Sequence, residues 1–153
     1  MMPLALACAD AGHDVVIATG KPFLDRLPLP TVPGYPDSLE LDWAIQESRR
    51  RHPDLHGGEL SMAMFADVTA EQVAPTMIEQ CERTRPDLVI FEGMDTGAGV
   101  AASVLGIPAA AYAIALASRV YGLLHPATVG YQRALWLQRD RTPPEGRARL
   151  PMR

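Results

Sequence analysis

Arg85-Pro86-Asp87-Leu88-Val89-Ile90-Phe91-Glu92 runs through Gly93-Met94-Asp95-Thr96 into Gly97-Ala98-Gly99-Val100-Ala101-Ala102-Ser103-Val104-Leu105-Gly106-Ile107-Pro108. This stretch decides the fold. Its apolar run reads as a buried parallel strand ending on a carboxylate. A small-residue loop then opens a helix, Gly106 stops that helix, and Pro108 leads into the next apolar strand. In an open α/β sheet, ligands bind just beyond the carboxyl ends of the strands. Glu92 therefore stands where a binding or catalytic carboxylate is expected.

Working outward, residues 3–11 read as a helix with Pro3 at its start and Gly12 as its left-handed stop. Residues 14–18 read as a strand, apolar nearly throughout because helices cover both faces. The segment 19–36 holds Pro22, Pro28, Pro30, Pro33, Gly34 and Pro36, so it is expected to be a surface loop without ladder pairing. Asp37 with Glu40 forms a candidate capping box for a helix through about Arg51, which His52-Pro53 ends. Gly57-Gly58 reads as a flexible connection. A second box, Thr69 with Gln72, is expected to open a helix carrying Val73, Met77, Ile78 and Cys81 on one face. Pro75 is expected to kink it. The strand at 87–91, the helix at 97–105 and a strand at 109–114 follow, then a helix over roughly 127–139 and a loosely held tail. The alternation predicts an α/β domain, a three-layer Rossmann-like parallel sheet with helices on both faces. Its expected extent is residues 1–141, with 142–153 as tail or linker.

The bulk properties narrow the function. The chain has 153 residues, 48% of them hydrophobic and 21% charged, as for one globular domain. A net charge of −4 argues against nucleic acid as a partner. No apolar run reaches the ~20 residues of a membrane span. The first residues have no basic lead and include Asp10, a poor signal peptide, so the cytoplasm is the expected compartment. Cys8 and Cys81 lie among apolar helical neighbours and read as reduced packing residues. His52, His56 and His125 have no partner at ligand spacing, so no metal site and no cofactor are expected.

Several segments resemble the N-terminal half of GT-B glycosyltransferases of the natural-product, UDP-glycosyltransferase-like kind. Pro3-Leu4-Ala5-Leu6-Ala7 is similar to the start of that family's first helix, and Ala11-Gly12-His13-Asp14-Val15 to its end. Thr19-Gly20-Lys21-Pro22-Phe23 is similar to the loop that follows. Arg85-Pro86-Asp87-Leu88-Val89-Ile90 with Gly106-Ile107-Pro108 is similar to the family's Pro-Asp-Leu-Val strand and Gly-Ile-Pro turn. The likeness covers residues 3–23 and about 65–115. It implies an acceptor-binding half truncated at both ends, lacking the first strand with its catalytic histidine loop and the C-terminal domain that holds the nucleotide-sugar donor. His13 is similar to a structural histidine, not to the base. The chain by itself is therefore expected to show no transferase turnover.

In inverting sugar transfer a histidine takes the acceptor hydroxyl's proton and a carboxylate orients that histidine. The resemblance gives Glu92 the place of the orienting acid, usually aspartate; the alternatives are a helix cap or an arginine pair. Met94, Asp95 and Thr96 are expected to line the acceptor cleft, while Asp95 and Thr96 also suit capping of the next helix. Met64 and Phe65, with Met62, suit either a greasy acceptor wall or the core. Gly97-Ala98-Gly99 lacks the third glycine of a dinucleotide fingerprint and suits close helix–strand packing better. Arg49-Arg50-Arg51-His52 reads as a solvated helix end. The expected partner is a hydrophobic small-molecule acceptor, with the nucleotide-sugar reached only through a further domain. The rival expectation is a non-catalytic Rossmann-like module for a small ligand or a partner chain.

Overall fold

A computed structural model of the protein describes residues 1–112. The expected helix at 127–139, the tail and the end of the last strand lie outside the described residues, as does part of the expected domain extent. Helix α1 (Met2–Asp10) has a proline in its first turn. It closes where expected, at Gly12 with φ +90°, and His13 N–H reaches back to the Cys8 carbonyl. That is the six-to-one bond of a glycine-terminated helix.

Strand β1 (Ile17–Thr19) is shorter than its apolar run and only half-buried. Two expectations for the following segment are corrected. Lys21–Phe23 forms a 3₁₀ turn, and Thr31–Pro33 is a strand, β2, paired in parallel with β1. The prolines do not prevent this pairing, because one serves through its carbonyl and the N–H comes from the glycine beside them. Ile17 N–H donates to the Pro30 carbonyl and Gly34 N–H to the Thr19 carbonyl, each at 2.8 Å. A proline lacks only the donor, which an edge position does not require.

Helix α2 (Leu41–Arg51) begins one residue after Glu40 without a side-chain cap. Asp37 instead pairs with Lys21 at 3.1 Å on the surface, so the first capping box does not form. The second does not form either. α3 (Gly57–Ala63), a π-helical turn (Met64–Thr69) and α4 (Ala70–Thr84) run on as one helical stretch. Thr69 sits inside it, its hydroxyl bonded back to the Phe65 carbonyl at 3.1 Å. Gly57-Gly58, expected as a flexible link, opens α3 with Gly57 at φ +53°. Pro75 lies inside α4, which continues through it to Thr84.

The solvated end expected at Arg49–His52 is also corrected. Arg51 turns inward and pairs with Glu47 at 2.8 Å, Asp67 at 3.1 Å and Glu71 at 2.7 Å. His52 Nε2 lies 3.0 Å from the other oxygen of Asp67. The guanidiniums of Arg50 and Arg51 hold Glu47 down at about 2. The network ties the end of α2 to the π-turn, and only Arg49 is left without a role in it.

The principal core is built by the decisive stretch. β3 (Val89–Glu92), α5 (Thr96–Leu105) and β4 (Ala109–Tyr112) form a βαβ unit whose strands pair in parallel, Glu92 opposite Tyr112. Val89 and Phe91 point inward and pack with Val73, Ala74, Met77, Ile78 and Cys81 of α4 and with Ala98 to Val104 of α5. Ala18 of β1 and Ala109 and Ala111 of β4 close its margin. Small residues permit this fit. A Cβ on Gly97 would stand 2.7 Å from the Val73 Cβ, and one on Gly99 would stand 2.7 Å from the Phe91 Cζ. Gly106, at φ +70°, ends α5 as expected. Burial pushes the Cys81 thiol up, in keeping with a packing residue.

Among the described residues, β1–β2 and β3–β4 are two separate parallel pairs. Within the same limit, no helix is long and apolar enough to cross a membrane and no group of side chains is arranged to hold a metal ion.

Candidate functional site

Glu92 is the last residue of β3, where the inward–outward alternation of the strand would otherwise continue into the loop. The backbone turns immediately. Asp95 N–H donates to the Glu92 carbonyl at 2.8 Å, and Gly93 N–H donates to the Tyr112 carbonyl at 3.0 Å. The turn folds Glu92 back on itself, so that Met94 N–H donates to Glu92 Oε2 at 2.9 Å. The other oxygen, Oε1, is buried and has no hydrogen-bond partner among the described residues. A buried acceptor left open in this way is costly unless something arrives to donate to it.

Asp95 stands at the N-cap of α5 without closing a side-chain capping bond. Its Oδ2 instead accepts the phenol O–H of Tyr35 at 3.1 Å. Burial pushes the Asp95 carboxyl above the usual carboxylate range, with the Glu92 charge adding to the rise, while the Tyr35 hydroxyl and the nearby Ala98 amide pull the other way. Burial first, and then the charge of Asp95, push the Tyr35 phenol well above its ordinary value. Among the described residues no basic side chain pairs with Glu92 or Asp95. Two carboxylates and a phenol thus meet at the carboxyl ends of β2 and β3, short of a donor.

The sequence-derived candidates separate. Glu92, Met94 and Asp95 share the one turn. Among the described residues Glu92 meets neither alternative reading, since it pairs with no arginine there and its oxygen takes a turn amide rather than capping α5. Thr96 is 1% exposed, and its hydroxyl donates to the Phe65 carbonyl at 2.8 Å, joining α5 to the π-turn. Its hydroxyl is thereby spent on structure and does not line a cleft. Met64 packs with Ala44 and Val68 in a second, smaller core, with Phe65 half-buried against it. Met64 is therefore a core residue and not a wall. Tyr35 was not a candidate from the sequence, because the proline-rich segment read as unpaired loop. The available signal was a phenol directly after a glycine flanked by prolines, where the backbone has little freedom.

A titratable group that is harder to ionise in the fold than out of it destabilises the fold when charged. Asp95 has a raised folded value, so its unfavourable contribution is present at high pH and vanishes below the unfolded value of 3.8. Asp95→Asn, which keeps an acceptor for Tyr35, is expected to raise the thermal midpoint at pH 7. The gain should shrink as the pH is lowered toward that value; a lower midpoint at pH 7 would contradict the burial argument.

The comparisons follow this geometry. Residues 6–151 match the family described as "Erythromycin biosynthesis protein CIII-like, N-terminal domain". No curated protein sequence matches the chain. Among solved structures, the glycosyltransferase SnogD from Streptomyces nogalater is similar with a TM-score of 0.68 and 21% identity, over 87% of this chain and 37% of that one. SsfS6, a glycosyltransferase of Streptomyces sp. SF2575, gives 0.70 and 22%, over 95% of this chain and 43% of that one. SsfS6 has also been solved complexed with thymidine diphosphate. The glycosyltransferase VinC, in complex with DTDP, gives 0.63 and 20%, over 95% and 42%. The chain thus spans about two fifths of the length of each of these structures. At these identities the likeness shows the fold, an α/β arrangement with parallel strands as in the N-terminal domains of GT-B glycosyltransferases. With the match extending over nearly its whole length, the chain belongs to the erythromycin biosynthesis protein CIII-like N-terminal domain family.

Proposed function

We propose that this chain is the acceptor-binding part of a transferase that moves a sugar from a nucleotide donor to a hydroxyl of a hydrophobic small molecule. Glu92 is the orienting acid. A single observation carries the reading: Glu92 Oε1, at the tip of the parallel strand β3, is buried and, among the described residues, lacks a donor. In the assembled enzyme the donor is the N–H of a histidine supplied by another segment. That histidine's free nitrogen takes the acceptor proton while the acceptor oxygen attacks the anomeric carbon and the nucleoside diphosphate departs with the bonding pair. Glu92 holds the ring and stabilises the imidazolium that results. Met94 and Asp95, in the same turn, and Phe65 are the proposed acceptor contacts.

Both halves of this reading can be tested on the chain as it is. Imidazole stands in for the base, and its titration should move the Glu92 carboxyl signal in NMR spectra. Glu92→Gln should weaken that binding about tenfold, the loss of one charge-assisted hydrogen bond. A hydrophobic polycyclic alcohol should give saturable shifts at the Met94 methyl. Absence of saturation with any such alcohol would remove the acceptor role and favour a non-catalytic module.

A further inference from the structure

We propose that Tyr35 is a positioning residue of this site, holding Asp95 by its phenol hydroxyl and, through the 92–95 turn, setting how Glu92 Oε1 is presented. The proposal rests on reading Glu92 as the acid of the site.

The placement begins in the backbone. Gly34 is buried against β1, where an added Cβ would lie 2.9 Å from both the Ala18 carbonyl carbon and the Thr19 nitrogen. The Gly34 N–H is fixed to the Thr19 carbonyl at 2.8 Å. The residue after it therefore has a defined point of departure, and the Tyr35 ring leans over Gly20, whose hypothetical Cβ would lie 3.9 Å from the Tyr35 Cδ2. From there the hydroxyl reaches Asp95 across 60 residues of sequence. The bond links two strand pairs that share no ladder hydrogen bond.

Its effect passes along the turn. Asp95 is fixed at both ends, its N–H on the Glu92 carbonyl and its carboxylate on Tyr35. Met94, between them, is thereby held with its N–H on Glu92 Oε2, which leaves Oε1 as the open acceptor among the described residues. The phenol also stabilises the anionic form of Asp95 against burial and against the neighbouring Glu92 charge. Tyr35 is itself 37% exposed, and a tyrosine so placed but without this bond would do neither.

Tyr35→Phe removes only the hydroxyl. In a residue-resolved NMR titration of the folded chain, the Asp95 midpoint should rise, the Glu92 carboxyl resonance should move, and imidazole should bind about threefold more weakly. A merely structural tyrosine would leave the Asp95 midpoint in place. An unmoved Asp95 midpoint together with an unmoved Glu92 signal, in a variant with the parent circular dichroism spectrum, overturns the proposal. Should Tyr35→Phe not fold, the phenol itself gives the answer. Of the 4 tyrosines in the chain, one should ionise last in an ultraviolet titration, and Asp95→Asn should bring it back toward the ordinary tyrosine range. No change there also overturns the proposal. Failure of imidazole to bind the parent chain counts against the reading of Glu92 alone, since the Asp95 midpoint reports on Tyr35 without any ligand.

Discussion

Phe91→Ala is expected to destabilise the chain by about 4 kcal/mol, measured as a lowered urea midpoint with an unchanged slope. Phe91 is 4% exposed and is the largest side chain of β3 facing the core. Its ring lies directly under α5, against Gly99, with Val89 beside it. Truncation removes the buried ring and leaves a cavity that α4 and α5 cannot collapse into, because the small residues between them already bring the helices together. A domain of ordinary stability has ~5–15 kcal/mol in all, so the loss takes a large share of it. The strand that ends in Glu92 should loosen with it, and imidazole binding should fall in parallel. A second substitution makes the argument specific. Gly99→Ala in the parent drives a Cβ to 2.7 Å from the Phe91 Cζ and should be harmful, whereas in the Phe91→Ala background the same methyl enters vacated space. The two changes together should therefore be less destabilising than their sum. Simple additivity would mean that the ring and Gly99 are not in the contact described.

Gly97→Ala is the second large effect, expected at about 2 kcal/mol. The new Cβ would stand 2.7 Å from the Val73 Cβ, 2.8 Å from its Cγ1 and 3.1 Å from the Ala74 nitrogen. These are backbone and near-backbone atoms of α4, so relief needs a shift of one helix against the other rather than a rotamer change. Overpacking of this kind costs ~1–3 kcal/mol, and the better helix propensity of alanine offsets it only in part. Because Gly97 follows Asp95 by only two residues, displacement of α5 should also disturb the site. The expected signature is a lower thermal midpoint together with a shifted Asp95 carboxyl resonance. A variant as stable as the parent would mean that α4 and α5 do not approach so closely.

The two substitutions bear on function because fold and site are the same stretch of chain. The residues that let α5 sit down on β3 and α4 are those that bring the N-terminus of α5, and with it Asp95, against the tip of β3. Compact packing behind the turn leaves the turn little freedom. That is the physical basis for reading a carboxylate with an open lone pair as a prepared acceptor and not as a surface acid.

Much of this architecture was legible from local signals. A proline in the first turn of α1, glycines at φ +90° and +70° ending α1 and α5, and the apolar run closing on Glu92 are all governed by neighbours in sequence: a missing N–H, a permitted left-handed backbone, a period of burial. They needed no knowledge of the rest of the molecule. What misled was equally local. Thr69 with Gln72 satisfies the pattern of a helix start, yet the helix passes through it, because burial of the adjoining apolar face in the second core stabilises the preceding turn more than a cap would. The prolines of 19–36 argue against a strand only if the ladder needs their donors, and β1 takes a carbonyl from Pro30 and an N–H from Gly34 instead. Arg51 reads as solvated until two carboxylates from other segments, Asp67 and Glu71, join Glu47 of its own helix around it.

By itself, then, the order of residues determined the α/β alternation, the helix stops and the place of Glu92, since each depends on backbone conformation within a few positions. Only the tertiary structure decided that Met64 goes to the core, that Thr96 is tied to the Phe65 carbonyl and that Tyr35 meets Asp95. Those outcomes depend on which distant segments the packing of α4, α5 and β3 places side by side, and no short-range preference encodes that distance.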